Sequence, residues 1–152
     1  MLVRSRLKDH HNPLGTVPCR RARCYTCPYV LQTHSITFPS ETFSIRESFS
    51  CISRNVIYAI VCSRCHKTYI GETGRRLADR FCEHLRDTSG YKGSPVSSHF
   101  NQSDHDGVRD MSVTGLISCS SNDRDRLSLE NRLIHRLGTL YPSGINRTII
   151  LI

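Results

Sequence analysis

The segment NVIYAIVCSRCHKTYIGETG, residues 55–74, decides the fold. Two β-branched runs, Val56-Ile57-Tyr58 and Tyr69-Ile70-Gly71, flank the polar stretch Ser63-Arg64-Cys65-His66. Apolar runs on either side of a polar tetrapeptide predict an antiparallel hairpin, with strands at 55–61 and 67–70 and a break at Gly71 to Gly74. Each strand carries one tyrosine, and Cys62-x2-Cys65 brings two thiols to the turn. Twenty residues thus contain a candidate catalytic pair and half of a candidate metal site.

Working outward, Thr73 is the expected N-cap of a helix in which Leu77, Phe81 and Leu85 form the buried stripe, ending near Asp87. Arg80 and His84, at i and i+4, share the neighbouring flank and can reach one site. Ser94-Pro95 opens a second helix, expected to run through His99 and Phe100 to Ser103 or Asp104. Met111 to Ser118 alternates as a third strand. Ser121-Asn122-Asp123 then caps a long helix whose Leu129, Leu133, Ile134 and Leu137 face the core, with Glu130 inside it and Gly138 as its terminator. After the Tyr141-Pro142-Ser143-Gly144 turn, the apolar tail 145–152 is expected to pack on the sheet. The fold class is therefore α+β, a small three-stranded antiparallel sheet flanked by helices.

Upstream, residues 1–18 read as a basic leader or linker, and 19–54 as a Cys-rich extension. There Cys19, Cys24, Cys27 and Cys51 follow a C-x4-C-x2-C-x23-C spacing around a short hairpin between Ser35 and Ile45. The catalytic part of the chain is then 55–152. Lysine and arginine number 21 against 13 acidic residues, a net charge of +8 in 152 residues, so a polyanion, first of all nucleic acid, is the expected partner. No apolar run approaches the roughly 20 residues of a membrane span, and the start lacks the apolar stretch of a secretory signal. A reducing, intracellular compartment is expected, where eight cysteines point to zinc rather than to disulfides.

Cleaving a phosphodiester takes a water nucleophile, a proton acceptor and positive charge at the phosphate. Tyr58, Tyr69, Arg80, His84 and Glu130 are polar groups that a sheet flanked by helices can bring together. Taken singly, each has an ordinary structural explanation. Their spacing resembles the GIY-YIG nuclease family. Val56-Ile57-Tyr58 stands at the first tripeptide, with Val56 replacing the family's glycine, and Tyr69-Ile70-Gly71 is the second in full. Arg80 matches the catalytic arginine, His84 a frequent histidine or tyrosine, Glu130 the metal-binding glutamate and Asn146 the late asparagine.

Within that family, the cysteine cluster, the phrase NVIYAIVCSRC and the ending LYPSGIN resemble the endonuclease domain of Penelope-like retroelements, and LVRSRLKDH resembles the connector after their reverse transcriptase. The resemblance implies that the chain is a fragment or freed derivative lacking the polymerase, a reverse transcriptase being its partner in cis in the parent protein. It implies nuclear DNA nicking that leaves 3′-hydroxyl primers for target-primed reverse transcription. Glu130 would hold Mg²⁺ or Mn²⁺, and Tyr58 would be the base, its phenolate favoured by Arg80, the metal or protonated His84, or else His84 would relay the proton; Arg80 would stabilise the phosphate, Tyr69 would position water or phosphate, and Asn146 would orient its neighbours.

Cys62-x2-Cys65 and His99-x5-His105 form a candidate tetrahedral zinc set, although spacing alone leaves open two buried thiols and two surface histidines. Penelope-like endonucleases carry a Cys-Cys-His-His set at these places, which favours zinc, with His66 as substitute ligand. Cys19, Cys24, Cys27 and Cys51 are candidates for a second zinc. Cys82 and Cys119 are expected to be buried, His34 and His135 exposed. Two competing functions remain from sequence: a non-catalytic, zinc-stabilised nucleic-acid-binding module, and a repair nuclease acting on branched DNA.

Overall fold

The computed structural model describes residues 13–147. The first twelve residues of the basic leader and the last five of the apolar tail lie outside the described residues. The Cys-rich segment contains β1 (Gly15–Val17), β2 (Ser35–Thr37), β3 (Thr42–Ser44) and β4 (Ser48–Ser50). The remainder runs β5 (Val56–Cys62), β6 (Thr68–Thr73), α1 (Leu77–Ser89), α2 (Pro95–Phe100), β7 (Met111–Ser118) and α3 (Asp123–Leu137). β5 is the middle strand of a three-stranded antiparallel sheet of order β6-β5-β7. Its residues from Val56 to Ile60 are all fully buried, which explains an uninterrupted apolar run where a half-solvated strand would alternate.

Register places the chemistry. Tyr58 lies opposite Gly71 and Ile60 opposite Tyr69, so both tyrosines share one face of the sheet. β6 continues through Gly71 and Glu72 to Thr73, three residues past the expected break, because the pairs Ile57–Glu72 and Val56–Thr73 are still formed. Gly71 is there to make room: a Cβ on it would sit 2.4 Å from the Tyr58 hydroxyl oxygen.

Thr73, the expected N-cap of α1, is instead the last residue of β6, its hydroxyl accepting from the Arg75 amide. The cap position falls to Arg76, which gives no side-chain bond. The orphan amides of Leu77 and Ala78 donate to the carbonyls of Ser53 and Cys51, so the Cys-rich segment caps α1. The buried residues of α1 are Leu77, Phe81, His84 and Thr88, with Leu85 only half-buried, so the stripe turns toward the histidine. α2 begins as expected, Ser94 accepting from Ser97 N behind Pro95, but ends at Phe100. The Asn101 amide there bonds the Thr88 carbonyl and the Ser97 hydroxyl. Asn122 caps α3, and Gly138, at φ 75°, closes it.

The Ser35 to Ile45 hairpin forms, pairing Ile36 with Phe43. Residues 19–54 and 55–147 share one apolar core: Phe38, Phe43, Ile45 and Phe49 pack into the cluster that contains Ile57, Phe81 and Leu137. The Phe49 ring covers Gly115 on β7, and Thr16 bonds the Gly115 amide. Cys82 and Cys119, expected to be buried, are half-exposed: Cys82 faces a surface cavity and the Cys119 thiol bonds the Asn55 carbonyl. His34 and His135 are exposed.

Gly71→Ala is expected to lose about 1–3 kcal/mol in denaturant unfolding, because the fully buried Tyr58 ring cannot retreat. Gly93→Ala, with no atom within 4 Å of the new Cβ, is expected to stay within about 0.5 kcal/mol of native.

Candidate active site and metal sites

Tyr58 lies under the site with no exposed surface, its hydroxyl 2.7 Å from His84 Nε2. The His84 ring also meets the Tyr69 ring edge-on, centroids 5.5 Å apart. One turn before His84, Arg80 is half-buried and donates to Glu83 at 2.8 Å, while Arg75 holds the other Glu83 oxygen. Tyr58, Tyr69, Arg80, His84 and Glu130 are thus brought together from β5, β6, α1 and α3: Glu130 and Arg80 act on both tyrosines, and Arg80 acts on His84 and Glu130.

These fields decide protonation. Burial, reinforced by Tyr69, Glu130 and Glu72, pushes the Tyr58 phenol well above its ordinary value, and Arg80 opposes without prevailing. Burial and then Arg80 depress His84 to about 3, so the imidazole is neutral and one of its nitrogens is free to accept from Tyr58. A buried phenolate at Tyr58 therefore lacks net support, and the proton inventory belongs to the Tyr58–His84 pair.

Glu130 is half-buried and makes no hydrogen bond or ion pair among the described residues. Burial, with the negative charge of Glu72 beside it, raises its carboxyl to about 7 against the pull of Arg80. A hard oxygen donor left unpaired, with Glu72, Arg80 and the two tyrosines around it, fits a divalent metal. Sequence reasoning missed two residues here. Glu72, next after Tyr69-Ile70-Gly71, is held at 2.9 Å by Arg126, a guanidinium that α3 buries almost completely. Arg126 also bonds Asp123, Asn55 and the Ser120 carbonyl, anchoring the first turn of α3 to β6 one turn before Glu130. Only the YIGE string marked Glu72, and an arginine on the polar flank of α3 gave no sign of burial.

Asn146 bonds the backbone of β6 next to Tyr69. Its amide is consumed by the backbone of Ile70, accepting from the nitrogen at 2.8 Å and donating to the carbonyl at 2.9 Å, with a further bond from Thr139. It is a positioning residue that clamps β6 between Tyr69 and Gly71.

At the other end of the hairpin, ligand atoms of Cys62, Cys65, His99 and His105 lie within 4.8 Å of one another. The His105 Nδ1 is 2.8 Å from the Asp104 carboxylate, and its buried Nε2 has no hydrogen-bond partner. An orphaned imidazole nitrogen turned by a carboxylate toward two thiols is the donor arrangement of a zinc ligand. His66 is exposed at φ 63° and is not part of the cluster. Cys19, Cys24, Cys27 and Cys51 also converge, with Cys27 Sγ 3.6 Å from Cys19 and 3.7 Å from Cys51. Four thiolates about 2.3 Å from one ion stand about 3.8 Å apart, so this set too fits tetrahedral zinc. None of these cysteines is in a disulfide.

The chain superposes on the catalytic domain of the homing endonuclease I-TevI with a TM-score of 0.52 and 19% identity, over 62% of this chain and 98% of that one. The fold is GIY-YIG-like. No family model and no curated protein matches the chain. The shared fold accounts for the sheet and its helices alone. No helix among the described residues is long and apolar enough to cross a membrane.

Two outcomes are expected. Because His84 is neutral when folded, its contribution to stability is complete above its unfolded pKa of about 6.5 and is lost as pH falls toward 3. Acid unfolding of the native chain should therefore be steeper by up to about 1.4 kcal/mol per pH unit in that window than that of His84→Gln. Metal analysis of the purified protein should return two zinc equivalents, falling to one in Cys62→Ser and in Cys24→Ser.

Proposed function

We propose that this chain is a metal-dependent DNA endonuclease that nicks one strand by hydrolysis. The observation that carries the reading is the convergence of Tyr58, Tyr69, Arg80, His84 and an unpaired Glu130 on one face of a GIY-YIG-like sheet. An unpaired, half-buried carboxylate costs stability and has no evident structural purpose, which favours catalysis over a purely binding module.

Glu130 would hold Mg²⁺ or Mn²⁺, which when bound supplies positive charge at the scissile phosphate and the departing oxygen. Arg80 stabilises charge on the phosphate. Tyr69, less buried than Tyr58, positions water or phosphate. The water proton passes to the Tyr58–His84 pair: Tyr58 receives it while releasing its own to His84 Nε2, so no phenolate need persist. Because burial and Arg80 hold His84 at about 3, the imidazolium is only a transient carrier, held while the phosphate anion offsets Arg80, and it passes the proton on to solvent. Water oxygen bonds to phosphorus, the P–O3′ bond breaks, and the departing oxygen takes a proton from solvent, leaving a 3′-hydroxyl.

The two Cys/His sets are assigned to structural zinc. Resemblance to Penelope-like retroelements supports a nuclear role in priming reverse transcription, with a polymerase in cis in the parent protein. Supercoiled plasmid should be nicked in Mg²⁺ by the native chain, and about 10²-fold or more slowly by Arg80→Ala and Glu130→Ala. Equal nicking by all three would overturn the mechanism. DNA binding without nicking by the native chain would favour the binding module.

A further inference from the structure

A cavity of about 910 Å³ opens between the loop of the first cysteine cluster and α1. Tyr25, Pro28 and Tyr29 line it from the loop, and Cys82, Leu85 and Arg86 from the helix. At 3.6 residues per turn, positions 82, 85 and 86 lie roughly half a turn from Arg80 and His84, so this groove occupies the opposite flank of α1 from the candidate active site. A second cavity of about 280 Å³, lined by Arg21 and Arg23, shares Cys24, Tyr25 and Cys82 with the first and extends it along the loop.

The walls are aromatic and the rim is mostly cationic, the one carboxylate lining it, Asp79 in the second cavity, being paired with Arg76. Tyr29 is backed by Phe81, ring centroids 5.5 Å apart, which makes it a fixed plate. Tyr25 stands 72% exposed between Cys24 and Cys27, whose convergence with Cys19 and Cys51 fixes the loop. Arg21, Arg23 and Arg86 are exposed, and none meets a carboxylate among the described residues. The loop also holds Arg20 and Arg23 at φ 56° and 65°, a left-handed backbone that arginine rarely adopts, so folding maintains this display of charge at a conformational cost.

Aromatic plates inside a groove and free guanidinium groups on its rim match unpaired bases and phosphates. A duplex stacks its base faces away from such plates, and an uncharged apolar ligand would leave the cations without partners. We propose that this groove binds single-stranded nucleic acid. It would hold a strand already separated from the duplex, behind the helix that presents Arg80 and His84 to the cut. The proposal does not depend on the catalytic reading, because binding is measured without Mg²⁺.

The probe is a fluorescent oligothymidylate of about twelve nucleotides, titrated with zinc-loaded native protein and variants by anisotropy. Tyr25→Ala should bind roughly tenfold more weakly and Tyr25→Phe close to native. Arg86→Ala should bind several-fold more weakly, with the slope of log K against log salt reduced by about 0.7. Arg132→Ala, which removes an exposed arginine from α3, should bind as native does, and zinc content should be unchanged throughout. Native affinity in both Tyr25→Ala and Arg86→Ala would overturn the proposal. Competition by an equal-length duplex as effective as by single strand would also overturn it, as would an equal loss in Arg132→Ala.

Discussion

The contact between the Tyr58 hydroxyl and His84 Nε2, 2.7 Å long and fully buried, constrains everything built around it. It needs the β5–β6 register that sets Tyr58 across from residue 71, and it needs residue 71 to be glycine, since any Cβ would occupy the place of the tyrosine hydroxyl. It needs α1 rotated so that a polar side chain takes a core position between Phe81 and Thr88. A buried hydroxyl and a buried imidazole are costly when unpaired and nearly neutral when they satisfy each other, so the pair fixes the helix on the sheet. Tyr69 and Arg80 follow from that placement, one diagonal to Tyr58 across the hairpin and the other one turn before His84.

The rotation of α1 is held from its start by backbone of the Cys-rich segment. Cys51 and Ser53 carbonyls accept from Ala78 and Leu77, and Cys51 is also one of the four converging thiols. The first metal set and the helix bearing Arg80 and His84 are thereby mechanically joined. The second set joins the β5–β6 turn to α2 through Cys62, Cys65, His99 and His105. With only 38% hydrophobic residues, the chain would gain from metal at both sets, and neither set occupies the middle of the hairpin, where the proposed phosphate chemistry lies.

The hairpin, the three long strands and three helices were legible because each rests on local periodicity, a cap or a short motif, whereas the grouping of Tyr58, Tyr69, Arg80, His84 and Glu130 came from the resemblance to a nuclease family. Features set by tertiary contacts were not. Thr73 reads as a cap, but strand pairing claims it and distant carbonyls cap α1 instead. Leu85 reads as core, but the burial of His84 turns the stripe and leaves Leu85 to a surface groove. Nothing in the sequence marks Arg126, which is buried because Glu72, 54 positions away, gives it a partner. Asn146 is expected to orient its neighbours, but only the structure shows by which contacts, namely its hydrogen bonds to the Ile70 backbone. The sequence leaves the proton acceptor open between Tyr58 and a relay through His84, and burial of the phenol counts against a lasting phenolate.

The central claim is that one hairpin serves two separate metal chemistries, structural zinc at its turn and a hard divalent cation at Glu130 beside its tyrosines. Anomalous diffraction from crystals soaked in Mn²⁺, recorded at the zinc and manganese edges, tests it most directly. Zinc peaks should fall at Cys19/Cys24/Cys27/Cys51 and at Cys62/Cys65/His99/His105, with manganese at Glu130 alone. Manganese at the cysteine sets, or Glu130 without metal while DNA is bound, would contradict the account.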